Sequence, residues 1–341
     1  MARPRFLAFA AFLSVSMVAA SIVAACVPFV HRAGAAGLTL DQIPIRDPNI
    51  MYYDGTYYMT GTTAWDGFLG FSSTDLVTWT SLGHIYTRNA SSTWALLEFW
   101  APEQVYKDGK FYLFFSGKTG VTNRATGVAV ATSPAGPYVD LTSHPLTPPE
   151  WNCLDGHLFR DDDGCEYFIY SHEWVDFSSG AGEFWIQPIA PDYTSLVGEP
   201  TYLFRGGDAA WSGGVTDGPS MLEHEGVHYL FWSSGHGGYQ CGYAWSRDVL
   251  GPYTQSLNPV ISDDGGHSTW FRRDGTGELL ITYHQPNGGG MERARIDRLC
   301  FTRGTWLLCK DAGAEISAWS MLVPLGLLCM PAVLIRRRAS R

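Results

Sequence analysis

The sequence predicts an all-β fold, a five-bladed β-propeller, and three observations lead to this prediction. Long helical periodicity is absent between the two terminal segments, where short aromatic-rich runs alternate with Gly, Asp, Asn and Pro. A glycine-containing turn followed by an aromatic-rich strand recurs about every 50 to 60 residues, which is the length of one four-stranded blade. A β-sandwich would not produce a repeat of this period. The turn glycines of the five copies are Gly55, Gly109, Gly164, Gly226 and Gly275.

The composition is consistent with such a domain. The 341-residue chain is 45% hydrophobic, which is enough to bury one large core or two modest ones. Its 13 Trp, 17 Tyr and 38 Gly favour strands joined by tight turns. We expect most aromatic rings to fill the core, although such rings also offer a platform for the apolar face of a sugar. The formal net charge of -10, without a basic stripe, excludes nucleic acid as a partner.

The beginning of the chain, residues 1–37, has the pattern of a secretory signal peptide. Arg3 and Arg5 precede an apolar run rich in small residues. The four residues that end at Cys26 resemble a bacterial lipobox, in which Cys26 would become the lipidated first residue. The alternative is ordinary cleavage between about Ala33 and Gly37, which would discard Cys26.

The end of the chain, residues 315–341, contains a second apolar stretch, from about Ala318 to Ile335, followed by an arginine cluster. The stretch is just long enough to cross a bilayer, and the arginines after it should stay on the cytoplasmic side. We therefore predict a C-terminal transmembrane anchor or sorting segment, with a buried helix as the alternative. The propeller, residues 38–314, would then be extracellular and anchored at the cell surface or membrane, and we expect it to be a monomer.

Five cysteines lie within the predicted propeller, an odd number without CxxC spacing, so a zinc site is not predicted. Cys153–Cys165 and Cys300–Cys309 are possible disulfide bridges, and the sequence does not decide between pairings.

The candidate catalytic residues lie at one position of the repeat. The innermost strand of each blade lines the propeller axis, so equivalent positions in the five blades converge on one pocket. Carboxylates that converge in this way are costly to bury unless they are paired, hydrogen-bonded or used in chemistry. The structural alternative is that each Asp only caps the start of a strand. Eight or nine residues before the turn glycines stand Asp47, Trp100, Asp155, Asp217 and His267.

The fragments around these residues, taken in order and spacing, resemble the successive blade motifs of glycoside hydrolase family 43. The resemblance extends from about Ile45 to Asn287 and implies a five-bladed propeller that hydrolyses arabinan- or xylan-type glycans by inversion, with no required cofactor. The five fragments are Arg46-Asp47-Pro48-Asn49-Ile50, Trp100-Ala101-Pro102-Glu103, Leu154-Asp155-Gly156-His157-Leu158-Phe159, Thr216-Asp217-Gly218-Pro219 and Gly266-His267-Ser268.

The resemblance also implies roles for the three carboxylates. Asp47 would be the general base, Asp217 the general acid, and Asp155 the residue that tunes the pKa of the acid and orients it. The family usually has Glu at the acid position, whereas Asp217 is one methylene shorter; branches that look otherwise similar carry Asp-Gly-Pro. Inversion requires a gap of about 6.5–9.5 Å for the attacking water. A charged Asp155 would raise the pKa of Asp217, whereas strand alternation predicts that Arg46 points away from Asp47.

The remaining site predictions concern a metal and the substrate. His267 matches an axial histidine that approaches a calcium ion through water in several family members. The resemblance thus implies a structural calcium at the axis, held largely through water because carboxylate ligands are not evident. Trp100 is a candidate stacking platform for the sugar, with core packing as the alternative. The other candidate substrate contacts, in or near loops at the mouth of the pocket, are His172, His284, Trp174, Trp211 and His236.

Two other functions are consistent with the sequence. One is a non-catalytic propeller that binds glycans, a reading that the shorter acid favours. The other is a related five-bladed glycosidase that acts on fructans or anhydro-galactose sugars, in some cases by retention, which needs a carboxylate gap of about 5–5.5 Å. The sequence does not identify the sugar or distinguish exo from endo action.

Overall fold

The computed structural model describes residues 37–311, which form five four-stranded antiparallel sheets. This confirms the five-bladed β-propeller. The predicted signal peptide, apart from Gly37, and the predicted C-terminal anchor lie outside these residues. Within the described residues, no helix is long and apolar enough to span a membrane.

Each blade contains four consecutive strands, and two short 3-10 helices, Leu40–Gln42 and Trp174–Asp176, lie outside the sheets. In chain order the strands are β1 (Arg46–Tyr53), β2 (Thr56–Thr62), β3 (Gly67–Ser73), β4 (Thr80–Thr87), β5 (Leu97–Lys107), β6 (Lys110–Lys118), β7 (Ala125–Ala131), β8 (Val139–Asp140), β9 (Cys153–Arg160), β10 (Glu166–His172), β11 (Glu183–Pro188), β12 (Thr201–Arg205), β13 (Asp217–His224), β14 (Val227–Gly235), β15 (Tyr239–Ser246), β16 (Thr254–Gln255), β17 (Gly266–Arg272), β18 (Leu279–Gln285), β19 (Arg293–Thr302) and β20 (Thr305–Leu308).

The innermost strands form a closed ring around the axis. β1 contacts β5, β5 contacts β9, β9 contacts β13, β13 contacts β17, and β17 contacts β1 again. The segment before β1 also joins the first blade to the last, since Pro44 bridges Arg293 of β19 and the Ile45 N–H donates to the Glu292 carbonyl. Closure of the ring leaves one axial space that every blade borders.

The core consists of five apolar clusters, one at each interface between neighbouring blades. Aromatic rings dominate them; Trp79 and Trp232, for example, are fully buried. Each blade buries both faces of its sheet against its neighbours, so an isolated blade would expose two apolar faces. This confirms that most aromatic residues fill the core.

The cysteine predictions have different outcomes. Cys300 and Cys309 form a disulfide bond that connects β19 to the end of β20 in the last blade. The predicted Cys153–Cys165 bridge is wrong, because Cys153 is buried at the start of β9 and Cys165 is exposed at the turn that follows this strand. Opposite ends of one strand are too far apart for a disulfide.

The innermost strand of every blade is irregular at the same point near its start. The pairing register shifts there in each blade, between Arg46 and Asn49 in the first and between Asp217 and Ser220 in the fourth. One residue of each irregularity has a positive φ of 45–56°, a region that few residues other than glycine adopt. Such strain is typical of functional sites, where the surrounding structure enforces it. These five residues are Asp47, Ala101, Asp155, Gly218 and His267.

Candidate active site

A cavity of about 600 Å³ lies over the start of the innermost strands. Its volume is in the range of ligand-binding pockets. Aromatic, apolar and charged side chains from several blades share its wall. The lining residues are Arg46, Asp47, Thr62, Trp100, Lys118, Arg124, Asn152, Leu154, Asp155, Glu173, Trp174, Val175, Val215, Asp217, Gly235, Tyr239, His267 and Asn287.

The strand irregularity explains why two consecutive side chains can line this cavity. In a regular strand neighbouring side chains point to opposite faces, whereas here Arg46 and Asp47 both line the cavity, as do Leu154 and Asp155. The prediction that Arg46 points away is therefore wrong. The ladder is also broken between these residues and the rest of the strand.

The pairing register corrects the predicted equivalence of the catalytic residues. Asp47, Asp155 and His267 share one position, which Ala101 and Gly218 occupy in the other two blades. Trp100 and Asp217 belong to the preceding position, because each pairs across its blade in the same way as Arg46. The three Asp side chains thus converge from two adjacent registers rather than from one. The distance from each turn glycine does not reveal these two registers, because the turn between the first two strands differs in length between blades. The residues of the preceding position are Arg46, Trp100, Leu154, Asp217 and Gly266.

The Asp47 carboxylate is buried and surrounded by polar groups. Its Oδ2 accepts the hydroxyl proton of Thr62 at 2.6 Å, and this direction follows because the Thr62 oxygen accepts the Ala101 N–H. Its Oδ1 lies 3.3 Å from His267 Nδ1 and 3.4 Å from His284 Nδ1. Burial favours a raised pKa, but His267, His284, Arg46 and the Thr62 hydroxyl outweigh it, so the pKa of Asp47 is lowered.

His284 contacts both the backbone and the carboxylate of Asp47. Burial lowers its pKa despite the nearby Asp47 carboxylate. Its Nδ1 accepts the backbone N–H of Asp47 at 3.1 Å, and its Nε2 lies 3.1 Å from Asn287 Oδ1, to which it donates. His284 thus supports the strained Asp47 backbone. Its side chain is fully buried within β18, so the prediction that it contacts substrate from a mouth loop is wrong.

Asp155, which is buried beside His267, and Asp217, which is half-buried, form a pair of interacting carboxyl groups. Burial first, and then the Asp47 charge, raise the pKa of Asp155 to about 8. Burial and the Asp155 charge raise the pKa of Asp217 to about 8 as well. Asp155 Oδ2 accepts the Gly218 N–H at 2.9 Å, which fixes the backbone next to Asp217. At neutral pH the pair therefore retains a proton that Asp47 has lost.

Glycine is required after Asp217 for two reasons. Gly218 has a φ of +54°, and a Cβ there would lie 2.9 Å from the Cα of His267. Any larger residue would push the innermost strand of blade 5 away from Asp217.

Trp100 lines the cavity, as predicted, and a charge cluster supports its ring. The Arg124 guanidinium carbon lies 4.0 Å from the ring centroid. Arg124 forms ion pairs with Glu98 and Glu173, and Lys118 lies 2.7 Å from Glu98. No repeat-based signal pointed to this cluster, because its residues come from strand ends and loops rather than from equivalent positions of the blades.

Only some of the other predicted substrate contacts lie at the cavity. Trp174 lines it, whereas the exposed His236 does not. His172 does not line the cavity: it is buried, its ring stacks on Trp151 with centroids 4.3 Å apart, and its Nε2 bonds Asp176, so its contact with substrate stays a prediction. Trp211 does not lie at the mouth of the cavity as the sequence predicts, because it packs in the core between blades 3 and 4. Aromatic residues near loops were not distinguishable from core residues without the fold.

The predicted calcium site at the axis does not fit the residues present. The space beneath His267 holds about 10 Å³, no more than one water molecule needs, so a calcium ion with its waters has no room. The deeper polar side chains are also engaged, since Glu103 bonds His157 at 2.7 Å and Asn49 Oδ1 accepts the Gln104 N–H. His267 directs Nδ1 to Asp47 and Asp155 instead.

The arrangement provides two different protonation states in one cavity. Asp47 is an ionised carboxylate that can accept a proton from water, and the Asp155–Asp217 pair holds a proton that can be donated to a leaving oxygen. Carboxyl groups with opposite pKa shifts are the pattern from which acid and base roles are assigned in hydrolases.

Comparisons with known proteins point to glycosidases. The family model described as "Glycosyl hydrolases family 43" matches residues 42–307. The chain is 30% identical to a xylan 1,3-beta-xylosidase from Vibrio over 69% of its own length, but it spans only 45% of that enzyme. It is 24% identical to extracellular endo-alpha-(1->5)-L-arabinanase 1 from Bacillus subtilis, with 76% of this chain and 86% of the relative covered.

Solved structures give the same result at the level of the fold. An endo-arabinase from Bacteroides thetaiotaomicron superimposes with a TM-score of 0.74 and 31% identity, covering 80% of this chain and 99% of that one. Because the family model covers most of the propeller, the chain belongs to family 43 of the glycosyl hydrolases.

Proposed function

We propose that this chain is an inverting glycosidase that hydrolyses arabinan- or xylan-type glycans, with Asp47 as general base and Asp217 as general acid. The observation that carries the proposal is the opposite shift in pKa of two carboxyl groups, Asp47 and Asp217, that line the same cavity. The relatives named above act on a xylan and an arabinan, which supports the substrate class.

In the proposed reaction Asp47 accepts a proton from water as the water oxygen bonds to the anomeric carbon. Asp217 donates its proton to the glycosidic oxygen as the bond from that oxygen to the anomeric carbon breaks. The lowered pKa of Asp47 keeps the base ionised, and the raised pKa of Asp217 keeps the acid protonated near neutral pH. The products are one hydroxyl-terminated leaving group and one sugar of inverted configuration.

Asp155 has a positioning role in this proposal. Its ionised form raises the pKa of Asp217, and its bond to the Gly218 N–H holds the backbone of the acid. The cavity wall formed by Trp100 and Trp174 offers two aromatic surfaces for sugar rings. Hydroxyl groups of the substrate can reach Asn152 and Asn287, which line the same cavity.

The test uses the full chain with arabinan, xylan and the 4-nitrophenyl glycosides of α-L-arabinofuranose and β-D-xylose. We expect hydrolysis of at least one substrate, an inverted anomer as the first product in NMR spectra, and loss of activity above about pH 8, where the acid loses its proton. Retention would contradict inversion and indicate a different carboxylate geometry. Binding without hydrolysis of any substrate would instead support a glycan-binding propeller.

We also propose that the propeller acts outside the cytoplasm, anchored by one or both terminal segments. The support is the basic and apolar pattern of both termini together with the Cys300–Cys309 disulfide, since disulfides persist in oxidising compartments. The test is protease treatment of intact cells followed by membrane fractionation. Protection of the propeller from added protease would contradict an external location, and release of Cys26→Ser from the membrane would assign the anchor to lipidation.

A further inference from the structure

Tyr239 is a cavity residue that the repeat gave no reason to consider. It begins β15, the third strand of blade 4, whereas the predicted site residues nearest the axis come from innermost strands. Its ring is buried and stacks on His284 of blade 5, with centroids 5.4 Å apart and planes inclined by 16°. The side chain of Tyr239, from the third strand of blade 4, therefore reaches the cavity by packing against blade 5.

The sequence of blade 5 leaves room for this ring. At the first cavity-facing position, four blades carry the side chains of Arg46, Trp100, Leu154 and Asp217, and blade 5 carries Gly266. A Cβ at Gly266 would lie 2.5 Å from Cε1 of Tyr239. The tyrosine ring thus occupies the space where blade 5 would otherwise present its own side chain.

The hydroxyl of Tyr239 ends at the proposed acid. It donates to Oδ2 of Asp217 at 3.1 Å. The direction of this bond is fixed, because burial first and then the Asp217 charge raise the pKa of Tyr239 well above its usual value and keep the phenol protonated. The carbonyl oxygen of a protonated carboxyl group is its better acceptor, so this bond favours the form of Asp217 in which Oδ2 is the carbonyl oxygen and Oδ1 carries the proton.

We propose that Tyr239 is the positioning residue of the proton donor: it holds Asp217 in one orientation and determines which carboxyl oxygen carries the proton. This inference rests on the proposed role of Asp217 as general acid. Tyr239 itself transfers no proton in the reaction.

Removal of the phenol should also change the titration of Asp217. Four other groups face this carboxyl: Asp155 on β9, Asp47 and Arg46 on β1, and His267 on β17. Among them Asp155 and Asp47 disfavour the charged form and His267 favours it. The Tyr239 bond also favours the charged form, so its loss raises the pKa of Asp217 further.

The experiment compares Tyr239→Phe with Tyr86→Phe in the full chain. Tyr86 is a matched control, since it is buried and donates to the Asp140 carboxylate at 2.8 Å away from the cavity. For Tyr239→Phe we expect kcat to fall about tenfold on an alkyl glycoside and much less on the 4-nitrophenyl glycoside, whose leaving group needs little protonation. The alkaline limb of kcat/KM should move up by about one pH unit, and Tyr86→Phe should change neither quantity.

A double-mutant cycle with Asp217→Asn separates this inference from the proposed function. If Tyr239 acts through Asp217, Tyr239→Phe should cause no further loss of kcat in the Asp217→Asn background. Equal losses on both glycosides with an unmoved alkaline limb would overturn the role of Tyr239 while leaving the acid in place. Full activity of Asp217→Asn would overturn the proposed acid and, with it, this inference.

Discussion

The two sides of the cavity contain carboxyl groups that titrate in opposite directions, although both lose contact with water in the fold. On the blade 1 side, Asp47 has a lowered pKa, whereas on the blade 4 side the pKa of Asp217 rises to about 8. Burial favours the neutral form in both cases, so burial does not explain the difference.

The groups that surround each carboxyl determine the direction in which its pKa shifts. Asp47 accepts a short bond from Thr62 and lies beside two histidine rings and Arg46, whereas the largest charge effect on Asp217 comes from another carboxylate, Asp155. The same residue type thus becomes a base in one place and an acid in the other. This is the division of roles that hydrolysis with inversion requires.

The largest expected effect comes from replacing each carboxyl group with its amide. Asp47→Asn should lower kcat/KM by roughly 10³-fold on every substrate, because deprotonation of water is needed whatever the leaving group. Asp217→Asn should cause a loss of about the same size on alkyl glycosides but a much smaller loss on 2,4-dinitrophenyl glycosides. Steady-state kinetics with both leaving groups measures the contrast. The same dependence on leaving group in both variants would contradict the assignment of base and acid.

The same two substitutions should change stability in opposite directions. Asp217 has a raised pKa in the fold, so the stability it contributes is complete below pH 4 and declines as pH rises through 8; Asp217→Asn should therefore stabilise the protein by about 1–3 kcal/mol at pH 9 and little at pH 4. Asp47 has a lowered pKa, so its contribution is present above pH 4 and is lost at lower pH. Asp47→Asn should cost about 1–2 kcal/mol at pH 7.

Urea unfolding at pH 4, 7 and 9 measures both free energies, provided that unfolding is reversible and two-state. Destabilisation by Asp217→Asn at pH 9 would show that other groups in the fold stabilise the Asp217 carboxylate, which would contradict its raised pKa.

A smaller effect is expected from the hydroxyl that sets the Asp47 environment. Thr62→Val keeps the shape of the side chain but removes the bond to Asp47 Oδ2, so the pKa of Asp47 should rise and the acid limb of kcat/KM should move up by about one pH unit. Thr60→Val is the matched control, because Thr60 lies two residues away on β2, is fully buried and donates to the Leu69 carbonyl. A shift of the same size in both variants would assign the effect to the strand rather than to the hydroxyl.

The smallest effect is expected from metal removal. Because the space beneath His267 has no room for a hydrated calcium ion, dialysis against EDTA should leave kcat/KM within about twofold of its starting value. A large loss that calcium restores and magnesium does not would show that the axis rearranges to bind this ion.

Several features of the molecule were predictable from local sequence. The turn glycines repeat because each blade needs a tight hairpin at the same place, and this repeat led to the propeller and to the residues of its innermost strands. Asp47, Asp155, Asp217 and Trp100 do line one cavity. Their pKa values were predictable in direction for Asp217, because a like-charged neighbour was expected, but not for Asp47, whose partners come from β2, β17 and β18.

The sequence by itself determined the number of blades, the strand order and the identity of the axial carboxyl groups, because these depend on a repeat that each blade encodes separately. Only the tertiary structure decided the register of Asp217, the direction of Arg46, the burial of His172 and His284, and the approach of Tyr239 over Gly266. The physical reason is that these features arise where blades meet or where a strand departs from regular pairing. In both situations a side chain is placed by residues distant in sequence, so no local pattern records it.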